Sequence, residues 1–256
     1  MRDSLVMSAK IGPGLFITAT DTGVGKTWAT LALMEALRLQ GMNVAGMKPV
    51  AAGCEETEHG LRSADAILIQ AHASQYHDYA LINPYAYRPP VAPHVAAERA
   101  NINIDFSCIA GAYRKIAAGA DCVLVEGIGG WRVPLGQDRT LVDLVRFLGL
   151  PVVLVVGLRL GCINHALLSA ECLQADKITL CGWLANRLEP DYLETEKTLE
   201  LLERHIPAPC LGVLPHLAFL DPVTLAAHVD PARLQKAVCA SGQIWVHGDG
   251  GLHNCA

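Results

Sequence analysis

Thr20-Asp21-Thr22-Gly23-Val24-Gly25-Lys26-Thr27 lies between an apolar run of strand length, residues 15–19, and a helical stretch, residues 29–39. A glycine-rich turn in that setting leaves backbone N–H groups unpaired, aims them outward from a helix start, and places a lysine and a hydroxyl beside them. These are the parts of a phosphate-binding loop, with Lys26 as the cation and Thr27 as the hydroxyl that reaches a metal. The usual pattern opens with glycine five residues before Gly25, where this chain has Thr20. An ordinary strand-turn-helix could carry the same glycines, but the strand-to-helix context is what a nucleotide cradle requires. On this reading Asp21, Thr22, Gly23, Val24, Gly25, Lys26 and Thr27 surround the phosphates.

Outward from the loop, short apolar runs alternate with helical patterns. Residues 43–50 form a second strand, 63–73 a helix, 84–93 an irregular stretch and 107–118 a further helix. Strand-length runs follow at 122–125, 152–156, 180–185 and 210–214, separated by helical patterns at 141–148, 165–173 and 192–205. Continuous apolar strands with helices between them predict a parallel sheet buried on both faces. The expected class is therefore α/β, doubly wound, mainly parallel and P-loop NTPase-like. With 256 residues, 52% of them hydrophobic, the chain can fill one core. We expect one P-loop domain over residues 1–240 and a flexible tail over 241–256, rich in Gly and His. A physiological metal role for His247 and His253 in that tail is not expected, because such tracts are only a compositional signal.

Composition excludes several classes. The net charge is −5 and the basic residues are scattered, so no nucleic-acid footprint is present. The nine cysteines form no C-x-x-C pair, and Cys122, Cys181 and Cys210 fall in apolar runs where a reduced thiol packs as a small core residue. A reducing, cytoplasmic compartment is expected. No run of 18 apolar residues and no signal-like N-terminal segment occurs, so neither membrane partnership nor targeting is expected.

In doubly wound sheets ligands bind beyond the carboxyl ends of the strands. Lys48, Asp65 and Glu126, the last followed by Gly127-Ile128-Gly129-Gly130, occupy such positions. Magnesium between nucleotide phosphates asks for few, hard oxygen ligands, and Thr27, Asp65 and Glu126 are the set expected to provide them. Glu126 could otherwise be a solvated strand end, and Asp65 could simply complement a helix dipole. Lys48 would add a second cation beside a transferred phosphoryl group, a reaction that depends on positioning and charge stabilisation. Thr22 is placed to touch that group. Gly129 and Gly130 permit close backbone approach, or form a plain tight turn. His94 could move a proton, although a histidine beside proline is more often a loop hydrogen-bonder. Residues 161–164, Gly161-Cys162-Ile163-Asn164, precede a helical run and offer either a carboxylate site or local capping by Asn164.

Eight motifs, in order, carry a family resemblance: Thr20-Asp21-Thr22-x-Val24-Gly25-Lys26-Thr27, Lys48-Pro49-Val50, Gly60-Leu61-Arg62-x-x-Asp65, Asn83-Pro84-Tyr85, Pro93-His94, Val125-Glu126-Gly127-x-Gly129-Gly130-Trp131, Leu160-Gly161-Cys162-Ile163-Asn164-His165 and Gly182-Trp183-x-x-Asn186. Together they resemble ATP-dependent dethiobiotin synthetase. The resemblance implies a homodimer that closes a ureido ring on 7,8-diaminononanoate with CO2, ATP and Mg2+. It implies catalytic roles for Lys26, Lys48 and Thr22, and an adenine end formed by Asn186, Pro215, His216 and Leu217. It also implies a diamine site that includes Lys48, Ala52 and Gly129, with the substrate carboxylate held by Gly161, Cys162, Ile163 and Asn164 of the neighbouring subunit. Two positions depart from the family pattern, Ala52 where serine is common and His216 where an aromatic residue is common. A regulatory or partitioning ATPase would share the fold, and so would an amidating ligase. The first would want a membrane or protein partner, and the second a glutamine-hydrolysing domain for which the remaining length is short.

Overall fold

The computed structural model describes residues 13–240, together with the backbone of a short antiparallel pairing between Trp245–Val246 and Leu252–His253. The remainder of the tail expected over 241–256 lies outside the described residues.

The chain opens with β1 (Gly14–Ala19), α1 (Lys26–Leu39) and β2 (Val44–Met47). A detour follows through β3 (Val50–Ala52), the hairpin β4 (Glu55–Thr57) and β5 (Gly60–Arg62), α2 (Ala64–Ala71), the single turn α3 (Tyr79–Ile82), β6 (Tyr85–Tyr87) and α4 (Pro93–Ala100). The helix α5 (Phe106–Ala117) leads to β7 (Cys122–Glu126). Strict alternation then runs through α6 (Leu141–Leu148), β8 (Val152–Leu158), α7 (Cys162–Ala175), β9 (Leu180–Arg187), α8 (Thr195–His205) and β10 (Cys210–Leu214). Two short helices, α9 (Pro222–Ala226) and α10 (Pro231–Cys239), follow, ahead of the short pairing of Trp245–Val246 with Leu252–His253.

Six strands form one parallel sheet in the order β10-β9-β8-β1-β7-β2. The expected doubly wound α/β class is the one observed. β8 shows why its sequence is apolar throughout: Val153 and Val155 face one hydrophobic cluster, whereas Leu154, Val156 and Leu158 face another beneath α7 and α8. A strand covered on both sides has no position to give to water, and each fully buried side chain contributes about 1.5–3 kcal/mol. α6 shows the helical counterpart. Thr140 and Asp143 form a capping box at its start, Gly149 turns left-handed (φ 64°) at its end, and the buried stripe Leu141, Leu144, Val145 and Leu148 faces the core.

Two parts of the chain depart from the sequence expectation. Residues 84–93 are not wholly irregular, because Tyr85–Tyr87 pairs in parallel with Val50–Ala52. The run 43–50 is not one strand, because it breaks at Lys48-Pro49, where proline has no N–H to give a ladder. That break sets two charged residues beside each other. β2 and β7 pair with Met47 opposite Val125, so the next residues, Lys48 and Glu126, leave the sheet edge side by side. β1 lies on the other side of β7 and ends at the phosphate-loop sequence. No helix among the described residues is long and apolar enough to cross a membrane.

Candidate active site

The loop after β1 is held from below by other strands. Thr20 N–H bonds to Val155 O at 3.0 Å, and Asn186, at the end of β9, donates its Nδ2 to Val24 O at 2.9 Å. Gly23 and Gly25 adopt left-handed φ values of 75° and 81°. A side chain at Gly25 would also collide with Asn186 Nδ2. α1 starts at Lys26 without a side-chain cap, so its first N–H groups are free to meet an anion. Asp21 is the loop's own brace: its carboxylate accepts from Thr22 N–H at 2.7 Å and pairs with Arg159 at 2.6 Å. Lys26 Nζ reaches back to Asp21 O at 3.2 Å. Burial, followed by the neighbouring Lys48 ammonium, pulls the Lys26 pKa down to about 8.

Beside the loop lies a buried ionic cluster. Lys48 Nζ sits 2.5 Å from Glu126 Oε1, 3.1 Å from Asp65 Oδ2 and 3.1 Å from Gly127 O. An ammonium has three N–H donors, and each has an acceptor here. The Glu126 side chain has 0% exposure and that of Lys48 5%, whereas Asp65 keeps 43%. Burial acts to lower the Lys48 pKa, but the Glu126 and Asp65 carboxylates outweigh it and the net shift is upward. Burial acts to raise that of Asp65, but Lys48 and the Thr27 hydroxyl outweigh it and the net shift is downward. Thr27 Oγ1 donates to Glu126 Oε1 at 3.1 Å, and Glu126 Oε2 is buried with no hydrogen-bond partner among the described residues. No group of three or more His, Cys, Asp or Glu gathers among the described residues. The Thr27 hydroxyl and the Asp65 and Glu126 carboxylates are hard oxygen donors, the kind that magnesium takes beside phosphate and water.

A cavity of about 800 Å³ brings most of the expected residues together. Thr22, Gly23, Gly25, Lys26 and Thr27 line it together with Lys48, Ala52, Asp65, Glu126 and Gly129. Gly129 turns left-handed (φ 62°), and a Cβ there would lie 2.9 Å from Val133. A smaller cavity of about 220 Å³ adjoins at Gly23 and Gly25 and is closed by Asn186, Pro215, His216 and Leu217. Trp28 lines both cavities. Sequence reasoning passed over it, although its place two residues after Lys26 on the first turn of α1 was a usable signal. Arg132 and Ser63, also in the larger lining, were missed as well. Asp21 and Val24 support the loop without lining the larger cavity. His94 faces a separate space of about 640 Å³ beside α4, and the lining of the first cavity does not include it.

Residues 161–164 are not part of either cavity. They open α7 through Gly161 (φ 91°), with no side-chain cap from Asn164. Cys162 is buried, its Sγ 3.9 Å from Tyr192 Oη, while Gly161 and Asn164 are exposed. Leu160 beside them is 93% exposed.

Residues 13–224 match the family described as an AAA domain. The chain is 48% identical over 219 residues to the ATP-dependent dethiobiotin synthetase BioD of Pseudomonas paraeruginosa, covering 85% of this chain and 96% of the relative. It is 47% identical over 222 residues to the protein of the same name from Cellvibrio japonicus, covering 87% and 97%. Among solved structures it resembles the MinC:MinD cell division protein complex of Aquifex aeolicus, with a TM-score of 0.54 and 16% identity over 94% of this chain and 100% of that one. At that identity the likeness concerns the fold alone.

The buried pair makes a stability test that needs no ligand. Lys48→Met leaves the Glu126 carboxylate in the interior with its main counter-charge gone, and should cost about 3–5 kcal/mol near neutral pH. Adding Glu126→Gln should recover part of it. In urea unfolding, costs for the two substitutions that add within about 0.5 kcal/mol would show that the side chains are not coupled.

Proposed function

The chain belongs to the ATP-dependent dethiobiotin synthetase family, and from that premise we propose that it closes the ureido ring of dethiobiotin on 7,8-diaminononanoate, consuming CO2 and ATP with Mg2+. One observation carries the proposal: a phosphate loop with its lysine and a second, buried lysine held between two carboxylates line the same cavity. A cavity of about 800 Å³ has room for a triphosphate end and a short aliphatic diamine together. The adjoining space beside Asn186, Pro215, His216 and Leu217 is suited to the base.

The chemistry follows from charge. One amine adds to CO2, forming an N–C bond and losing a proton to give a carbamate. A carbamate oxygen must then reach the γ-phosphorus although both partners are negative. Lys26 and the N–H groups of the loop hold the triphosphate, and Lys48 screens the approach of the carbamate. Thr22, whose hydroxyl lies beside Gly129, contacts the transferred group. The new P–O bond forms as the bond to ADP breaks, leaving a carbamic-phosphoric anhydride. The second amine attacks the carbonyl carbon, phosphate leaves, and a proton is lost as the five-membered ring closes. No protein nucleophile is needed. Ala52 and Gly129 border the diamine, and the methyl of Ala52 gives it a surface without a hydroxyl to bond.

Lys48 already uses its three donors on protein acceptors, so contact with the substrate requires it to exchange one. Asp65 is the partner free to yield, being 43% exposed where Glu126 is fully buried. Thr27, Asp65 and Glu126 would hold magnesium, a reading supported by the unpartnered Glu126 Oε2 and the Thr27 hydroxyl aimed at the same carboxylate. When bound, the ion supplies positive charge to the β- and γ-phosphates. The test is ATP consumption with and without the diamine and CO2, with product mass measured. Diamine-dependent ADP formation with dethiobiotin as product is expected, and equal ADP release in the absence of diamine would sink the proposal.

A homodimer completes the site on this reading. The start of α7 exposes Gly161 and Asn164, has no side-chain cap and lies outside the cavity of its own chain, which suits it to hold the substrate carboxylate for a partner subunit. Chains carrying Lys26→Ala and chains carrying Asn164→Asp should each be nearly inactive. In a mixed dimer one site receives both lesions and the other none, so about half the normal activity should return. Verified subunit exchange with no gain in product would refute the cross-subunit assignment.

A further inference from the structure

The backbone of Lys48 is fixed from both sides by the turn before β6. Its N–H donates to Ile82 O at 2.8 Å, and its carbonyl accepts from Asn83 Nδ2 at 2.6 Å. The second bond takes the place of one that a ladder cannot make here. Lys48-Pro49 runs beside Asn83-Pro84, and neither proline has an N–H. Regular pairing resumes one step later, where Tyr85 N–H donates to Pro49 O at 3.1 Å. A side-chain amide therefore fills a gap in the backbone pattern, and it does so in the interior, because Asn83 is only 4% exposed.

From Asn83 the hydrogen bonds continue toward the other side of the site. The Tyr79 hydroxyl donates to Asn83 Oδ1 at 3.0 Å, and the same hydroxyl oxygen accepts from Ser63 N–H at 2.7 Å. Arg62 lies over the Tyr79 ring, 4.1 Å from its centroid. Ser63 is the N-cap of α2, its side chain accepting from Ala66 N–H, and Asp65 stands in the first turn of that helix. An unbroken line thus runs from the carbonyl of Lys48 through Asn83 and Tyr79 to the residue two places before Asp65. The ends meet again at the side chains, where Lys48 Nζ and Asp65 Oδ2 are 3.1 Å apart.

We propose that Tyr79 and Asn83 are positioning residues that set the separation of Lys48 from Asp65, and so the placement of the metal-binding carboxylate against the screening ammonium. The inference rests on the function proposed above. It assigns work to two stretches of sequence, Gly60-Leu61-Arg62 and Asn83-Pro84-Tyr85, that no step of the reaction uses directly. Neither residue lines the cavity, so they act only through the groups they hold. A hydrogen-bonded support of this kind moves metal affinity and turnover more than substrate binding, because the supported groups meet the phosphate and the carbamate, which forms only after the diamine is bound, while Ala52 and Gly129 border the diamine itself.

Tyr79→Phe removes one oxygen and keeps the ring beneath Arg62. Binding of Mn2+ as its ADP complex, measured by electron paramagnetic resonance without diamine, reports the carboxylate's placement apart from turnover. The dissociation constant is expected to rise about ten-fold. In steady-state assays kcat should fall by a similar factor while the KM for the diamine stays within about two-fold. Leu234→Ala, a truncation of a fully buried side chain on α10, controls for lost stability and should leave these quantities near their normal values. Mn2+·ADP binding and kcat within about two-fold of normal in folded Tyr79→Phe would overturn the proposal, as would equal changes in Leu234→Ala. Should Tyr79→Phe fail to fold, Asn83→Ser cuts the same line one bond further on and is read by the same criteria. A normal chain that makes no dethiobiotin would contradict the proposed function, and the Mn2+·ADP comparison would still decide the relay.

Discussion

Glu126 holds a carboxylate at the end of a central strand with no exposure to water, and such a charge costs several kcal/mol unless a counter-charge meets it in the interior. The sheet supplies that counter-charge through its register. Because Met47 lies opposite Val125, the residues next in the chain are Lys48 and Glu126, and the pair forms where β2 and β7 leave the sheet. Asp65 reaches the same ammonium from the start of α2, and the Thr27 hydroxyl reaches the same carboxylate from the phosphate loop. Two further pieces of chain, α2 and the phosphate loop, are thereby tied to one buried pair. The site's geometry follows from which strands are neighbours.

Charge is also balanced before any ligand arrives. Lys26 and Lys48 offer two ammonium groups, and Asp65 and Glu126 two carboxylates. Lys26 is the less secure of the cations, since burial and Lys48 bring its pKa to about 8, whereas the carboxylates hold Lys48 in its charged form. A triphosphate entering beside Lys26 would supply the negative charge that this lysine lacks. On this account the two lysines divide the work: the carboxylates keep Lys48 charged, and the nucleotide completes the charge of Lys26, most of which is already present at neutral pH.

Much of this was legible in the sequence. A glycine turn between an apolar strand and a helix marks the loop, and the residues just after apolar runs, Lys48 and Glu126, stand out because ligands of a doubly wound sheet bind beyond its strand ends. What sequence could not show is pairing. Lys48 reads as a free second cation because its partners, Asp65 and Glu126, are 17 and 78 residues away, and only the placement of α2 and the parallel register of β2 with β7 bring them near. β6 was hidden for a related reason, being three residues long, flanked by prolines, and stabilised by a distant strand and not by its own pattern. Arg159, which braces Asp21, and Trp28, which lines both cavities, belong to the same class of residue whose role depends on a neighbour in space. His94 read as a proton-transfer candidate, yet the structure turns it toward a different cavity.

The division of work between the lysines is tested most directly by counting protons. Nucleotide binding at pH 8, measured by isothermal titration calorimetry in two buffers of different ionisation enthalpy, should take up a fraction of a proton, because part of Lys26 is neutral before binding and becomes charged. Lys26→Arg, whose guanidinium stays charged throughout, should bind with no such uptake. Uptake near zero in the normal chain, or the same uptake in Lys26→Arg, would contradict the account.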